Sequence, residues 1–438
     1  QAKKINNTLL RLYAKKTDDL DLKKAVNCMN IQPHKLSVKL TKTCLALALS
    51  PYKATKISKK KRLKFANYLK DKYPNDAYDL KALSSNNPAA LIHKDQRHYT
   101  FLRLYNSAGS YFRQTYFNRT ISKESINELV KQSNFDKFII KVVTNTQAKN
   151  IEKSLLKVPI KSYKHHTNFF LALSALKQNK IDRAISFLQY SLKTSYKRAD
   201  KDKSIFWLYL ATKDKSFLKK IENSWSLNIY TLYARELLGK ELPSIPPPLL
   251  LNNKYSKYDI SNPFDWEKIF IEFKKTDTEN LEEFSKQFLN EKDQVIFAYL
   301  DEKISNYKNT HFIMPYNHYM KKENNDTKAR INALARQESR FIPSSLSTSY
   351  AMGVMQIMPF LSKTIAKRLK EDYNILSMLQ AEKSVRYGVY HLRELKRQFK
   401  SQLFIAYAYN AGAGFFKSRL KQGFFKKNNP YEPFMSME

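Results

Sequence analysis

The sequence predicts an all-α protein of more than one domain, and three observations carry that prediction. Glycine is scarce, with 7 residues in 438, and only Gly109 and Gly239 precede position 350. Sheet proteins need many tight turns with positive φ, which glycine mostly supplies. Apolar residues recur at helical spacing through most of the chain. A chain of 438 residues also exceeds what one compact core usually holds.

The elements follow in order. KATKISKKKRLKFANYLKDKY (53–73) has apolar residues at helical spacing with Lys between them, and reads as one amphipathic helix. TNFFLALSALKQN and KIDRAISFLQYSLKT read as a helix pair joined at Gln178-Asn179-Lys180. Phe169, Leu173 and Leu176 share a face of the first, and Ile181, Ile185, Leu188 and Leu192 share a face of the second. Helix pairs that cannot bury their faces alone stack into a superhelix, so residues 1–242 are expected to form an α-superhelical solenoid, with an irregular helical domain as the plainer alternative. PSIPPP (243–248) cannot be helical and opens a Pro-rich linker, 243–261. NPFDWEKIFIEF, LEEFSKQFL and DQVIFAYLDEKI then predict three helices in a smaller, more acidic domain, 262–312. Five of the seven Gly lie in the final quarter, which marks residues 313–438 as a chemically different domain.

The formal charge is +39. It points to an acidic partner such as nucleic acid, anionic lipid or carboxylate-bearing wall polymer, or to compositional drift towards Lys. No apolar run approaches the ~20 residues that span a bilayer, and no nucleic-acid motif is visible. The start QAKK fits a removed signal peptide or a trimmed chain. Cys28 and Cys44 are the only cysteines; they suit one disulfide in an oxidising compartment or two buried thiols. His165 and His166 are adjacent on a helix and are expected at its surface or boundary. No Cys/His spacing suggests a metal, and no cofactor is expected.

The chemistry concentrates in ARQESRFIPSSLSTSYAMGVMQIMP (335–359) and AYAYNAGAG (406–414). Glu338 ends a helical run and is followed by 32 residues without Asp or Glu, up to Glu371. It lies one turn beyond Leu334, at the end of the apolar stripe of Ile331, Leu334 and Ala335. A carboxyl group placed there resists ionisation, because burial disfavours its charged form, and can serve as a proton donor near neutral pH. A lone Glu on a helix is usually just solvated; the surrounding motif argues otherwise. Ser347 offers a hydroxyl to the acid or a sugar, or else a turn or cap. Gly353 allows close backbone approach. Gln356 brings an amide suited to sugar hydroxyls. Met358 is adaptable apolar surface. Pro359 marks a helix start. Tyr409 can bond a ligand, and Asn410 with Gly412 and Gly414 reads as a helix ending in a tight turn.

ESRF, S-x-x-x-x-x-GVMQIMP and AYNAG, in this order and spacing, resemble the motifs of the bacterial soluble lytic transglycosylases over about residues 330–438. The resemblance implies a goose-lysozyme-like catalytic domain, preceded by a superhelical, possibly ring-forming domain and a small linker domain. It implies that Glu338 is the catalytic acid/base, that Ser347, Gln356, Met358 and Tyr409 line a glycan cleft, and that Glu438, in FMSME, is a second cleft glutamate. Tyr350-Ala351-Met352-Gly353 departs from the family's smaller turn and is expected to make the cleft lip bulkier. The family also has a further helix where this chain stops, so a truncated C-terminus is expected.

The implied function is non-hydrolytic cleavage of the N-acetylmuramic acid–N-acetylglucosamine bond of peptidoglycan, giving 1,6-anhydromuramoyl ends. The implied setting is a periplasmic monomer on glycan strands, with no nucleic acid and no membrane span. The residues agree on one point. A two-carboxylate glycosidase needs a second nearby acid, and residues 395–431 contain none. A hydrolytic muramidase and a non-catalytic helical peptidoglycan-binding scaffold are the alternatives.

Overall fold

The computed structural model describes residues 7–252, 255–425 and 431–438. Residues 1–6 of the expected superhelical domain, 253–254 of the expected linker, and 426–430 lie outside the described residues. Helices dominate, and the only β pairing among the described residues is a few isolated bridges. The chain forms two compact units, Arg11–Leu242 and Pro243–Glu438, the latter also taking in residues 7–10.

In the first unit, helix α1 (Leu20–Asn30) starts after Asp19, whose carboxylate accepts from Leu22 N. Helix α2 (Lys42–Ala48) starts after Thr41, which accepts from Cys44 N. A disulfide between Cys28 and Cys44 joins the two, which decides between the two readings of this pair. The single helix expected over 53–73 is divided. A turn at Pro51–Ala54 stops, and helix α3 (Lys59–Leu69) begins anew. Ser58 is the reason: its hydroxyl accepts from Lys61 N at 3.3 Å, a helix-starting bond that competes with continuation. Buried Arg62 then donates to the carbonyls of Ala54 and Ile57 at 3.2 and 2.7 Å, satisfying acceptors that the break leaves open.

Helices α4 (His165–Lys177), α5 (Ile181–Thr194) and α6 (Arg198–Thr212) pack on one another in sequence order. This serial packing is that of an α-solenoid. The α4–α5 turn falls at residues 178–180, with Asn179 left-handed at φ 55°. The buried stripe of α5 differs from expectation: Ala184, Phe187, Leu188 and Ser191 are buried, while Ile181, Ile185 and Leu192 are half-buried. Both α4 and α6 cover α5, and the covered face turns towards the pair. His165 is likewise not a surface residue. Its Nδ1 lies 2.8 Å from Ser191 Oγ and 2.6 Å from Ser195 Oγ, and burial pushes its pKa down. His166 is exposed.

In the second unit, residues 243–251 form no helix, and Ile245 and Leu250 are exposed. Helices α7 (Pro263–Lys275), α8 (Leu281–Lys286) and α9 (Gln294–Ile304) are the three expected in 262–312. Then come α10 (Asn325–Ser339), α11 (Pro359–Leu369), α12 (Ala381–Gln398), α13 (Gln402–Ala411) and α14 (Ala413–Lys421). One buried apolar cluster runs from Tyr258 to Phe416, so α7–α9 and α10–α14 share a core. Helix α12 is its axis and packs against α10, α11 and α13. At Gly412 (φ 86°) the chain turns directly from α13 into α14. Gly414 therefore lies inside α14, not in the expected turn. No helix of the described residues is long and apolar enough to cross a membrane.

The disulfide closes a short loop, its cysteines separated by 16 positions. A loop of this length constrains the unfolded chain by about 3 kcal/mol. Replacing both cysteines by Ser is therefore expected to lower the chemical-denaturation midpoint of the unit Arg11–Leu242; an unchanged midpoint would show that the bridge constrains nothing.

Candidate active site

Helix α10 explains the position of Glu338. Asn324 caps its start, accepting from Thr327 N at 2.9 Å, and Asp326 sits in the first turn, where the helix dipole favours a negative charge. Ile331 and Ala335 are buried. Glu338 follows in the last turn, half-buried. Burial raises its pKa and is the only cause of the shift. The negative end of the helix dipole acts in the same sense. The acid makes no ion pair with any described residue.

Immediately after the acid the backbone is strained. Arg340 and Phe341 are both left-handed, at φ 56° and 65°, in a region that side chains other than Gly rarely occupy. Side chains from several elements hold the loop that follows. Ser339 Oγ donates to Val354 O at 2.7 Å, and Tyr316 donates to Phe341 O at 2.9 Å. Ser384 of α12 accepts from Met355 N at 3.1 Å, and Tyr409 of α13 donates to Met355 O at 2.9 Å. Ser339, Tyr316 and Ser384 were not among the candidates. Ser339 was visible as the second residue of ESRF, whereas nothing in the sequence marks Tyr316 or Ser384.

Each candidate can now be placed. Ser347 takes the turn role: its hydroxyl accepts from Ala351 N at 2.8 Å. Its proton remains free to donate. Tyr350 (φ 72°), expected to make the cleft lip bulkier, packs its ring on the core. Gly353 (φ 77°) is required twice over, because a Cβ there would lie 1.9 Å from Met378 O. Gln356 donates both amide hydrogens, to Ser345 O at 3.0 Å and Gly353 O at 2.9 Å. Only its amide oxygen is left for a ligand. Met358 is half-buried and precedes Pro359, which starts α11 as expected.

Tyr409 belongs to the acid's surroundings. Its phenol pKa is raised, by burial and then by the charge of Glu338. His391 of α12 backs its ring at 5.2 Å between centroids. Burial lowers the pKa of His391 and so favours the neutral imidazole. Glu438 is placed differently. It helps, after burial, to push Tyr407 up to about 12, and Tyr407 donates to Met437 O at 2.9 Å. The structure thus brings Glu338, Tyr409, Gln356 and the 345–358 loop together, and sets Glu438 against Tyr407 of the same helix α13.

Fold and site together give a helical domain in which one half-buried carboxylic acid, Glu338, resists ionisation and makes no ion pair among the described residues. Residues 315–431 match the family model described as "Transglycosylase SLT domain". A putative soluble lytic murein transglycosylase of Haemophilus influenzae is 34% identical over 91 residues, which is 20% of this chain and 15% of that protein. The chain thus aligns with only a small part of that relative's length. Solved structures with similarity include the 70-kDa soluble lytic transglycosylase of Escherichia coli (17% identity, TM-score 0.47, 92% of this chain and 69% of that one). An inactive mutant of lytic transglycosylase Slt from Pseudomonas aeruginosa is another (13% identity, TM-score 0.48, 90% and 68%). Over residues 315–431 the chain is thus similar to the transglycosylase SLT domain.

The raised pKa of Glu338 has a thermodynamic sign. An unfolded Glu titrates near ~4.3. The folded state holds the proton more tightly, so below that pH the acid carries no penalty. As pH rises through the folded pKa, the ionised form destabilises the fold. A Glu338→Gln variant is expected to melt above the wild type at pH 8, with the gap closing by pH 4. A gap independent of pH would mean that the acid is as solvated folded as unfolded.

Proposed function

We propose that this chain is a peptidoglycan lytic transglycosylase. The observation that carries the reading is the setting of Glu338: half-buried, raised in pKa by burial alone, and in the last turn of α10. That is the state of a proton donor, and one acid must then serve both steps. Glu338 protonates the oxygen that bridges N-acetylmuramic acid to N-acetylglucosamine, and the C1–O bond breaks. The acetamido carbonyl of the same muramic acid stabilises the cationic sugar. Glu338, now a carboxylate, takes the proton of the 6-hydroxyl, whose oxygen closes on C1. The product is a 1,6-anhydromuramoyl end, and no water is consumed. Donor and acceptor roles on one residue follow from general acid–base logic.

The other residues fit supporting parts. Tyr409, the Gln356 amide oxygen and the Ser347 hydroxyl present polar groups to the glycan, and Met358 presents an apolar surface to a sugar face. Glu438 completes the cleft from the side of Tyr407. In this reading residues 313–438 are the catalytic domain, 262–312 a small helical domain that braces it, 243–261 the linker, and 1–242 the superhelical holder of glycan strands. The net charge of +39 matches a polymer whose peptide stems carry carboxylates. The protein is then a periplasmic monomer.

Two measurements test this. Glu338→Gln is expected to lose at least the ~100-fold typical of a missing general acid or base, and mass spectrometry of digested sacculi is expected to find anhydro ends from the wild type only. Reducing ends from the wild type would mean hydrolysis instead. Because exposed charges are screened beyond ~8 Å at physiological salt, retention on sacculi is expected to weaken as salt rises, while cleavage of short fragments does not. Retention insensitive to salt would remove charge from the account of strand binding.

A further inference from the structure

Two arginines flank Glu338, at positions 336 and 340. A cation within ~4–6 Å of a carboxyl group lowers its pKa by 1–3 units, which would spoil a proton donor. Yet neither arginine contributes to the shift of Glu338. Both guanidiniums are committed elsewhere. Arg336 Nη2 donates to Glu302 Oε1 at 2.6 Å, and Arg340 Nη1 donates to Glu302 Oε2. Glu302, on α9, has a side chain only 6% exposed. Its Oε1 also accepts from His311 N at 3.4 Å, and Arg336 Nη1 donates to His311 O at the same distance. The Phe312 ring covers the Arg336 guanidinium, 5.5 Å from its centroid.

We infer that Glu302 is a positioning residue of the Glu338 site: it gathers the two arginines on either side of the acid, fixes the end of α10, and draws their charge away from the proton donor. The backbone supports this. Arg340 is one of the two consecutive left-handed residues, and a conformation of that kind persists only where surrounding contacts impose it. The bond to Glu302 is such a contact. It joins α9, from the segment before the SLT domain, to the turn that carries the acid.

The neighbouring charges leave this assignment clear. Around Glu302 are Asp301 and Lys303 on its own helix, His311 in the following loop, Arg336 on α10 and Arg340 just after it. Asp301 is occupied by His311, whose Nε2 lies 2.7 Å from it, and by Asn309. Lys303 lies over the Phe270 and Tyr299 rings. Around Glu338 the titratable groups are Arg336 on its helix, Arg340 just after it, Tyr409 on α13, and His391 on α12 behind Tyr409. Only the two arginines are obligate cations.

The inference rests on Glu338 being the proton donor, and the test keeps the two apart. The readout is kcat/KM of the full chain against pH, on purified soluble glycan strands. With Glu302→Gln, the alkaline limb is expected to move down by about one unit or more, an approximately tenfold loss of protonated acid on that limb. Glu302→Asp, which keeps the charge, is expected to restore it in part. The neutral variant E302Q/R336Q/R340Q is expected to return the limb to the wild-type position, which relief of a merely structural defect would not do. A Glu302→Gln limb that coincides with the wild type overturns the inference. Should Glu302→Gln not fold, E302Q/R340Q, which strands Arg336, is compared with the neutral variant: a lower limb in the former supports the inference, and equal limbs overturn it. If Glu338→Gln keeps wild-type activity, the acid assignment itself fails, whatever the Glu302 series gives.

Discussion

A carboxyl group that is to hold a proton near neutral pH needs little water and no free cation, and most of the second unit can be understood as meeting that constraint at Glu338. The helix that carries the acid must end there, so that the side chain stands at the mouth of the core and not along an exposed face. Ending it costs two left-handed residues, Arg340 and Phe341. The loop beyond carries backbone groups that no helix or sheet ladder satisfies. Side chains satisfy several of them: Ser339, Tyr316, Ser384, Gln356 and Tyr409 each bond a backbone atom between residues 341 and 356. Strain of this kind is stable only where the surroundings impose it, and here they come from α10, α12, α13 and the segment before α10.

That network changes what the candidate residues can do. Gln356 and Tyr409 are not free hydrogen-bonding arms waiting for a ligand. Both amide hydrogens of Gln356 and the phenolic hydrogen of Tyr409 are already donated to loop carbonyls. What each offers outward is an acceptor oxygen held in place. A group fixed by its own bonds loses little freedom when a ligand arrives, and preorganisation of this kind favours binding and catalysis. Gly388 has a comparable role in the interior. A Cβ on that residue would lie 2.7 Å from Met355 Cγ, so its bare backbone lets the loop seat against α12.

Much of this was legible in the sequence. Glycine scarcity and 3.6-residue periodicity reveal helices well, and the 178–180 turn and the Pro359 start fall where the residues place them. Glu338 was visible because it is an acid isolated within a distinctive motif. The failures are equally physical. Ser58 looks like any polar residue on a helix face, but its hydroxyl bonds Lys61 N and restarts the helix. Periodicity reports one buried stripe, so it misses α5, which is covered by two neighbours. His165 looked peripheral because its partners, Ser191 and Ser195, are 26 and 30 positions away. Glu302 carried no local signal, since its partners are 34 and 38 positions away on another helix.

The same long-range pairing bears on how one acid can resist ionisation in so basic a chain. Between residues 315 and 431 the other carboxylates are either exposed, as Asp372 and Glu382 are, or paired with cations. Glu371 bonds Arg386, Lys383 and Tyr387 and is held down to about 2, with the Arg386 bonds the largest cause. Glu323 takes Arg393, Asp326 takes Arg330 and Lys396, and Glu394 takes Arg368 and Arg397. Charges beyond ~8 Å are largely screened at physiological salt, so the net +39 bears on Glu338 far less than its immediate neighbours do. Those neighbours are Arg336 and Arg340, and they are the cations that Glu302 holds. On the proposed assignment, burial and local pairing weigh on the acid more than overall composition does.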